Sequence, residues 1–321
     1  MGRFSRIRSA LAVALCAALL PASAAQAETV SAKRYNIWQW NVAGSAIHGG
    51  KSDTGMVDGA VSSIVYRNAD FVAFNELCEG QWNSLVSKLR SAGWPKDPAN
   101  FARFEPSIHA GADNRVCGGA AFGNAIFSRL PLDTADRITL PDDPALERRN
   151  MLCAPLRDDS STRFCTTHIA AVNREKGVTN EHKLQQLAAV QAQLDSWVDQ
   201  GQTVMIAGDF NAQPNYHSLD TYYSASLNVK DLNDSNRGSF RELDDNDTAN
   251  CLGYGEWTAD NEEELAPTVC GGMRKIDLIF VSETSLVGPG SYGADSLAIA
   301  TNCTTGKCSD HRILTGTVNV K

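Results

Sequence analysis

Short apolar runs that stop abruptly in carboxylates, amides or histidine recur along this chain, and no other feature restricts its fold as tightly. In VMIAGDFNAQP, Val204 to Pro214, a strand-length apolar run breaks at Gly208 and passes into Asp209 and Asn211. Four to eight apolar residues bounded by turn formers read as a strand, since a buried helix needs ten or more. Comparable segments lie at Tyr35–Trp40, Asp70–Phe74, Ala120–Phe127, Met151–Leu156, Arg163–Thr167, Thr203–Ala207, Lys275–Val281 and Arg312–Val320. Helical patterns fall between them. Val57–Tyr66 carries Val57, Val61, Ile64 and Val65 on one side, and Gln81–Ala92 turns Trp82, Leu85, Val86 and Leu89 inward before Gly93 stops it. A longer helix runs from about Glu181 to Val198, with Asn180 as cap, Gly201 as terminator and Leu184, Leu187, Leu194 and Trp197 as its apolar stripe. Strands alternating with amphipathic helices need cover on both sheet faces. The pattern therefore fits an α/β sandwich of two sheets flanked by helices, or one doubly wound sheet.

The first 27 residues read as a secretory signal. Arg3, Arg6 and Arg8 precede an apolar run from Ala10 to Leu20, and small residues lead to a cut before Glu28. That run is far shorter than the ~20 residues of a spanning helix, so no membrane anchor is expected. With no repeat, low-complexity tract or linker after it, residues 28–321 read as a single domain. Cleavage shifts the net charge from −8 to −11, and an acidic exported chain repels polyanions unless local cations intervene. Eight cysteines remain after Cys16 is removed, an even number that in an exported chain reads as disulfides. Sequence leaves their pairing open, although the hairpin-like MLCAPLRDDSSTRFCTTH suggests Cys153 with Cys165, and the short CTTGKC loop suggests Cys303 with Cys308. Structural zinc would require close C-x-x-C pairs, which are absent.

The polar residues at strand ends form a coherent chemical set. Asn41 follows the strand ending at Trp40, Glu76 follows FVAFN, and His168 follows RFCTT. Asp209 and Asn211 follow VMIAG, Asp277 lies within RKIDLIFVS, and Asp310 and His311 precede the last strand. Alone, each has an ordinary explanation, since Asp and Asn after a strand are turn formers and a lone His is incidental. Together they supply carboxylates and amides for a hard divalent cation and two imidazoles for proton transfer, the inventory of metal-assisted phosphoester hydrolysis. Gly208 is read here as keeping the backbone clear of the phosphate. Arg148-Arg149 is the nearest candidate for a phosphate-binding guanidinium, the alternative being a solvated pair beside Glu147. Other patterns fail. GSAIHGGKS lacks the glycine a P-loop requires at position 45, and no G-x-S-x-G supports a serine hydrolase. DDNDTANC, from Asp244, hints at a structural Ca²⁺ but has Ala249 where an oxygen ligand belongs. Glu262-Glu263-Glu264 reads as a solvated loop.

WNV at Trp40–Val42, NEL at Asn75–Leu77, GNAIFSR at Gly123–Arg129, TTH at Thr166–His168, GDFNA at Gly208–Ala212, KIDLIFVS at Lys275–Ser282 and SDH at Ser309–His311 follow in one order. In that order the chain resembles the endonuclease/exonuclease/phosphatase superfamily, the deoxyribonuclease I-like proteins, across its mature length. The resemblance implies a four-layer α/β sandwich, with two mixed or antiparallel sheets flanked by helices, and attack of water on phosphorus assisted by Mg²⁺ or Mn²⁺. Carried over, Glu76 is the principal metal ligand with Asn41 and Asp310. His311 is the general base oriented by Asp277, and His168 assists the leaving oxygen. Asp209 orients the water, Asn211 holds a phosphate oxygen, and Asn124 and Arg149 contact substrate. The expected substrate is nucleic acid, acted on by a secreted, extracellular monomer without a stable protein partner. The alternatives are a lipid or inositol phosphodiesterase, for which SYGADSLAIA (Ser291–Ala300) is the candidate membrane-facing hairpin, and a binding or toxin-like subunit.

Overall fold

The computed structural model describes residues 1–2, 31–94, 96–97, 99–260 and 270–321. Residues 3–27 of the expected signal, and Glu262–Glu264, lie outside the described residues. In chain order the elements are β1 (Lys33–Asn41), α1 (Met56–Tyr66), β2 (Phe71–Cys78), α2 (Glu79–Ser91), β3 (Ala102–Ile108), β4 (Phe122–Ser128), β5 (Asp136–Thr139), β6 (Asn150–Pro155), β7 (Thr162–His168), α3 (Asn180–Asp199), β8 (Thr203–Asp209), β9 (Phe240–Glu242), β10 (Asp277–Ser282), β11 (Tyr292–Leu297) and β12 (Ile313–Val320).

Two six-stranded sheets result, ordered β11-β12-β1-β2-β4-β3 and β5-β6-β7-β8-β10-β9. The two-sheet expectation holds, and a single doubly wound sheet is excluded. Each sheet centres on one parallel pair, β1 with β2 and β7 with β8, flanked by antiparallel partners. A parallel pair ends at one edge, and its antiparallel neighbours begin there, so that edge gathers chain segments from several strands.

Period-two alternation assigns the layers. Tyr35, Ile37, Phe71, Ala73, Ile126, Leu152, Phe164, Met205, Ala207 and Ile279 pack between the sheets. Phe71 and Phe164 stack across that interface with centroids 4.9 Å apart. The opposite parity of the first sheet, including Trp38, Trp40, Val72 and Phe74, lies under α1 and α2. On the second sheet Cys165, Val204, Ile206 and Phe280 lie under α3. Helix, sheet, sheet and helix make the four layers, all within the compact unit Ala32–Lys321.

Local expectations are corrected in three places. Val65 and Leu184 face solvent, at 44% and 41% exposure. The buried stripes run through Met56, Val57, Ala60 and Ile64, and through Lys183, Gln186, Leu187, Val190, Leu194 and Trp197, one step of 100° away on the helix wheel. Thr179, not Asn180, caps α3, with His182 Nδ1 accepting from the Thr179 amide at 3.0 Å. Ser291–Ala300 is no aromatic hairpin, since Tyr292 opens the edge strand β11, is buried, and donates its hydroxyl to Asp245 at 2.8 Å. Four disulfides form. Cys153–Cys165 and Cys303–Cys308 match the spacing argument, and Cys78–Cys117 and Cys251–Cys270 join segments whose proximity only the fold creates.

Candidate active site

The inward parity of the central strands carries past the apolar core to the shared edge, where it turns polar. On β1 the series Tyr35, Ile37 continues as Gln39 and Asn41; on β8 Met205, Ala207 continues as Asp209; on β10 Asp277 precedes Ile279 and Val281. Register then sets Asn41 beside Asn75, and Asp209 between His168 and Asp277. Glu76 breaks the ladder of β2 in a left-handed conformation, φ 56°, where β2 loses register with β4. A non-glycine residue held there marks a locally over-determined backbone.

Asp209 Oδ2 is the centre of this cluster. Asn41 Nδ2 donates to it at 3.1 Å and to Glu76 Oε1 at 3.2 Å. His168 Nε2 lies 3.5 Å and His311 Nε2 3.9 Å from the same oxygen. Each imidazole has a second carboxylate at Nδ1: Asp277 at 2.7 Å for His311, and Glu147 at 3.3 Å for His168. Asn211, at φ 47°, places its amide on Asp209 Oδ1 and its Nδ2 on the Ile169 carbonyl. Of the expected residues, Asn41, Glu76, His168, Asp209, Asn211, Asp277 and His311 come together. Asp310 stands on the exposed edge beside His311.

Burial lowers the His311 imidazole, but Asp277, Asp209 and Asp310 overcome it and lift it to about 10. His168 is also raised: burial and Arg149 pull it down, and Glu147 and Asp209 outweigh them. Glu147 itself is pushed up by burial, yet Arg149 and then His168 hold it at about 2. Burial raises Glu76 and Asp209, and for Asp209 the neighbouring Asp277 adds to it.

The two arginines separate clearly. Arg149 packs against Glu147 at 2.8 Å beside His168, whereas Arg148 points outward to Asp142. Asn124 departs from its expected role as a substrate contact. It is buried with Oδ1 accepting from Asn75 and Nδ2 donating to Asn150, so its amide braces the strand ends. Gly208 likewise has a different reason: an added Cβ would sit 2.1 Å from the Thr167 carbonyl of β7, so strand packing demands glycine.

Sequence reasoning missed Gln39, Asn75 and Glu147. Gln39 Nε2 crosses between the sheets to Asp277 Oδ1 at 2.9 Å. Asn75 Oδ1 accepts from the Asp209 amide at 2.9 Å, and its Nδ2 reaches the Thr167 carbonyl at 3.0 Å. The available signal was parity, because both amides occupy inward positions of otherwise apolar strands.

The donor set fits a hard divalent cation. The half-buried Glu76 and the buried Asp209 set carboxylate oxygens on either side of the Asn41 Nδ2, a concentration of negative charge that a cation would offset. Ligand atoms of Asp209, Asp277 and His311 also lie within 4.8 Å of one another. In the acidic run from Asp244, Asp244 Oδ2 faces Lys275 Nζ at 2.7 Å and Asp245 faces Arg241, so the chain's own cations offset those two carboxylates. A cleft of about 630 Å³ opens from Glu76, Glu147 and Arg149, walled by Ile108, Phe122 and Leu146, with Arg115 and Lys176 on its margin.

The model of the Endonuclease/Exonuclease/phosphatase family matches residues 38–311. No curated protein sequence matches the chain. Among solved structures, the human Nocturnin catalytic domain with bound sulfate is 16% identical, covering 89% of this chain and 93% of its own at a TM-score of 0.61. D. rerio TDP2 complexed with a single-strand DNA product is 16% identical, with 88% and 98% coverage and a TM-score of 0.57. A family protein from Bacteroides thetaiotaomicron is 15% identical, with 90% and 98% coverage and a TM-score of 0.58. At such identities the likeness is one of fold.

Proposed function

The chain belongs to the endonuclease/exonuclease/phosphatase family, and from that premise we propose that it is a secreted, divalent-metal-dependent phosphodiesterase that hydrolyses nucleic acid. One observation carries the reading. Two imidazoles, each with a carboxylate at Nδ1, direct Nε2 toward the same Asp209 oxygen, and Glu76 and Asn41 stand alongside.

In this reading His311 takes the proton of the attacking water at Nε2, because Nδ1 is committed to Asp277. It works in its neutral form, which is favoured once the surrounding carboxylate charge is offset. Asp209 orients the water, and His168 delivers a proton to the leaving oxygen. Asn211 and Arg149 hold non-bridging oxygens, the guanidinium being suited to bidentate contact. Glu76, Asn41 and Asp310 would hold Mg²⁺ or Mn²⁺, which would supply neutralisation of phosphate charge.

Nucleic acid is favoured because Lys176 lines the cleft together with Arg149 and Arg115, which Glu147 and Asp113 hold there. A relative of the same fold was also solved with a DNA product. Export is supported by the N-terminal sequence and four disulfides. A lipid phosphodiester is the second reading, favoured by Leu146, 52% exposed at the cleft, and by Val172 at 45%. Supercoiled plasmid incubated with the purified protein and Mg²⁺ separates them. Nicking abolished by EDTA is expected; intact plasmid alongside release of a phosphorylated headgroup from phospholipid vesicles would overturn the nuclease assignment.

A further inference from the structure

Lys183 breaks the pattern of its own helix. The buried stripe of α3 runs through Lys183, Gln186, Leu187, Val190, Leu194 and Trp197, and a lysine occupies a position where an aliphatic residue would pack. The residue is 6% exposed. Its Nζ donates to the Asn211 carbonyl at 3.2 Å and lies 5.4 Å from the centroid of the Tyr216 ring. No carboxylate forms an ion pair with it among the described residues, and burial alone pulls its pKa below the ordinary lysine value. A buried charge without a counter-charge is costly, and chains retain such features chiefly where function requires them.

Asn211 explains the placement. Its backbone is left-handed, and its peptide turns at the end of β8, directly after Asp209. The ammonium holds that turn by its carbonyl and adds a second positive charge, after Arg149, to a subsite rich in acids. Resting on the phosphodiesterase reading above, we infer that Lys183 is a positioning residue of the phosphate subsite, fixing the Asn211 turn and providing a cation whose counter-charge is the bound phosphate oxyanion.

The inference separates stability from binding. Replacing Lys183 by methionine removes an uncompensated buried charge while keeping the apolar stem, so the Lys183→Met protein is expected to melt at the same temperature as wild type or higher. Inorganic phosphate, used as a competitive inhibitor of oligonucleotide hydrolysis, is expected to bind about tenfold more weakly to Lys183→Met, with a smaller difference at high salt. KM for the oligonucleotide should rise with it, and Lys183→Arg should restore phosphate inhibition to within about threefold of wild type. Phosphate inhibition unchanged in Lys183→Met would overturn the inference, whatever happens to kcat or melting temperature. Should Lys183→Met not fold, Lys183→Arg decides: a folded arginine variant that has lost phosphate inhibition tenfold or more overturns it. Wild-type protein that hydrolyses no phosphoester with any divalent ion would sink the phosphodiesterase reading itself, whereas wild-type turnover with an unaffected Lys183→Met variant sinks this inference alone.

Discussion

At the scale of single residues, the site is two carboxylate–imidazole pairs facing a shared oxygen, and each half has a distinct test. Replacing His168 or His311 by glutamine keeps a hydrogen-bonding side chain but removes proton transfer. Each is expected to lower kcat by ~10²–10⁴-fold, measured on plasmid or oligonucleotide, with melting temperature little changed. Glu147 makes a pH prediction. Its folded-state pKa of about 2 lies below the ordinary 4.5, so the stabilisation it gives is present above pH 4.5 and is lost as pH falls through about 2. Wild type should exceed Glu147→Gln by up to about 3 kcal/mol in urea unfolding near neutrality, the gap closing across that acid window. The histidines, Asp209 and Glu76 were legible because imidazoles and carboxylates after apolar strands are conspicuous. Gln39 and Asn75 were not, since an amide inside a strand advertises no chemistry until its partner on the other sheet is known. Asn124 was misjudged for the same reason: its burial is decided by Asn75 and Asn150, neither of which is near it in sequence.

At the scale of elements, the central strands do two tasks with one alternating pattern. The inward parity fills the inter-sheet core along most of each strand and supplies ligands at its end, so a one-residue slip would empty both. Close approach between β7 and β8 leaves no room for a side chain at position 208. Gly208→Ala should therefore cost about 3 kcal/mol or more and depress activity together with melting temperature, since Thr167 and Asp209 must both shift. The eight inner strands were readable from apolar run length, whereas the four edge strands β3, β5, β9 and β11 were not. Helix stripes were less so: Val65 and Leu184 are apolar residues one step off the buried face, and periodicity alone does not fix a helix's rotation to within a residue.

At the scale of the whole molecule, cross-links join what the sheets leave loose. Cys78–Cys117 spans 39 residues and ties the segment after β3 to the strand end that bears Glu76, whereas Cys303–Cys308 spans only 5. By loop-closure entropy the first is worth about 4 kcal/mol and the second about 2. The Cys78→Ala/Cys117→Ala protein is accordingly expected to lose roughly twice the unfolding free energy of Cys303→Ala/Cys308→Ala, as measured in urea. The two short-range pairings were legible because a hairpin and a six-residue loop bring their own ends together; the other two depend on where distant segments pack. The same division runs through the protein. Sequence alone determined the pattern of the inner strands and the chemical inventory at their ends, because these are local consequences of run length and side-chain polarity. Only the tertiary structure decided that two parallel pairs finish at one edge of facing sheets, that Arg149 and not Arg148 reaches the site, and that Asp209 is its centre, because those are distances between segments whose separation along the chain carries no information about their separation in space.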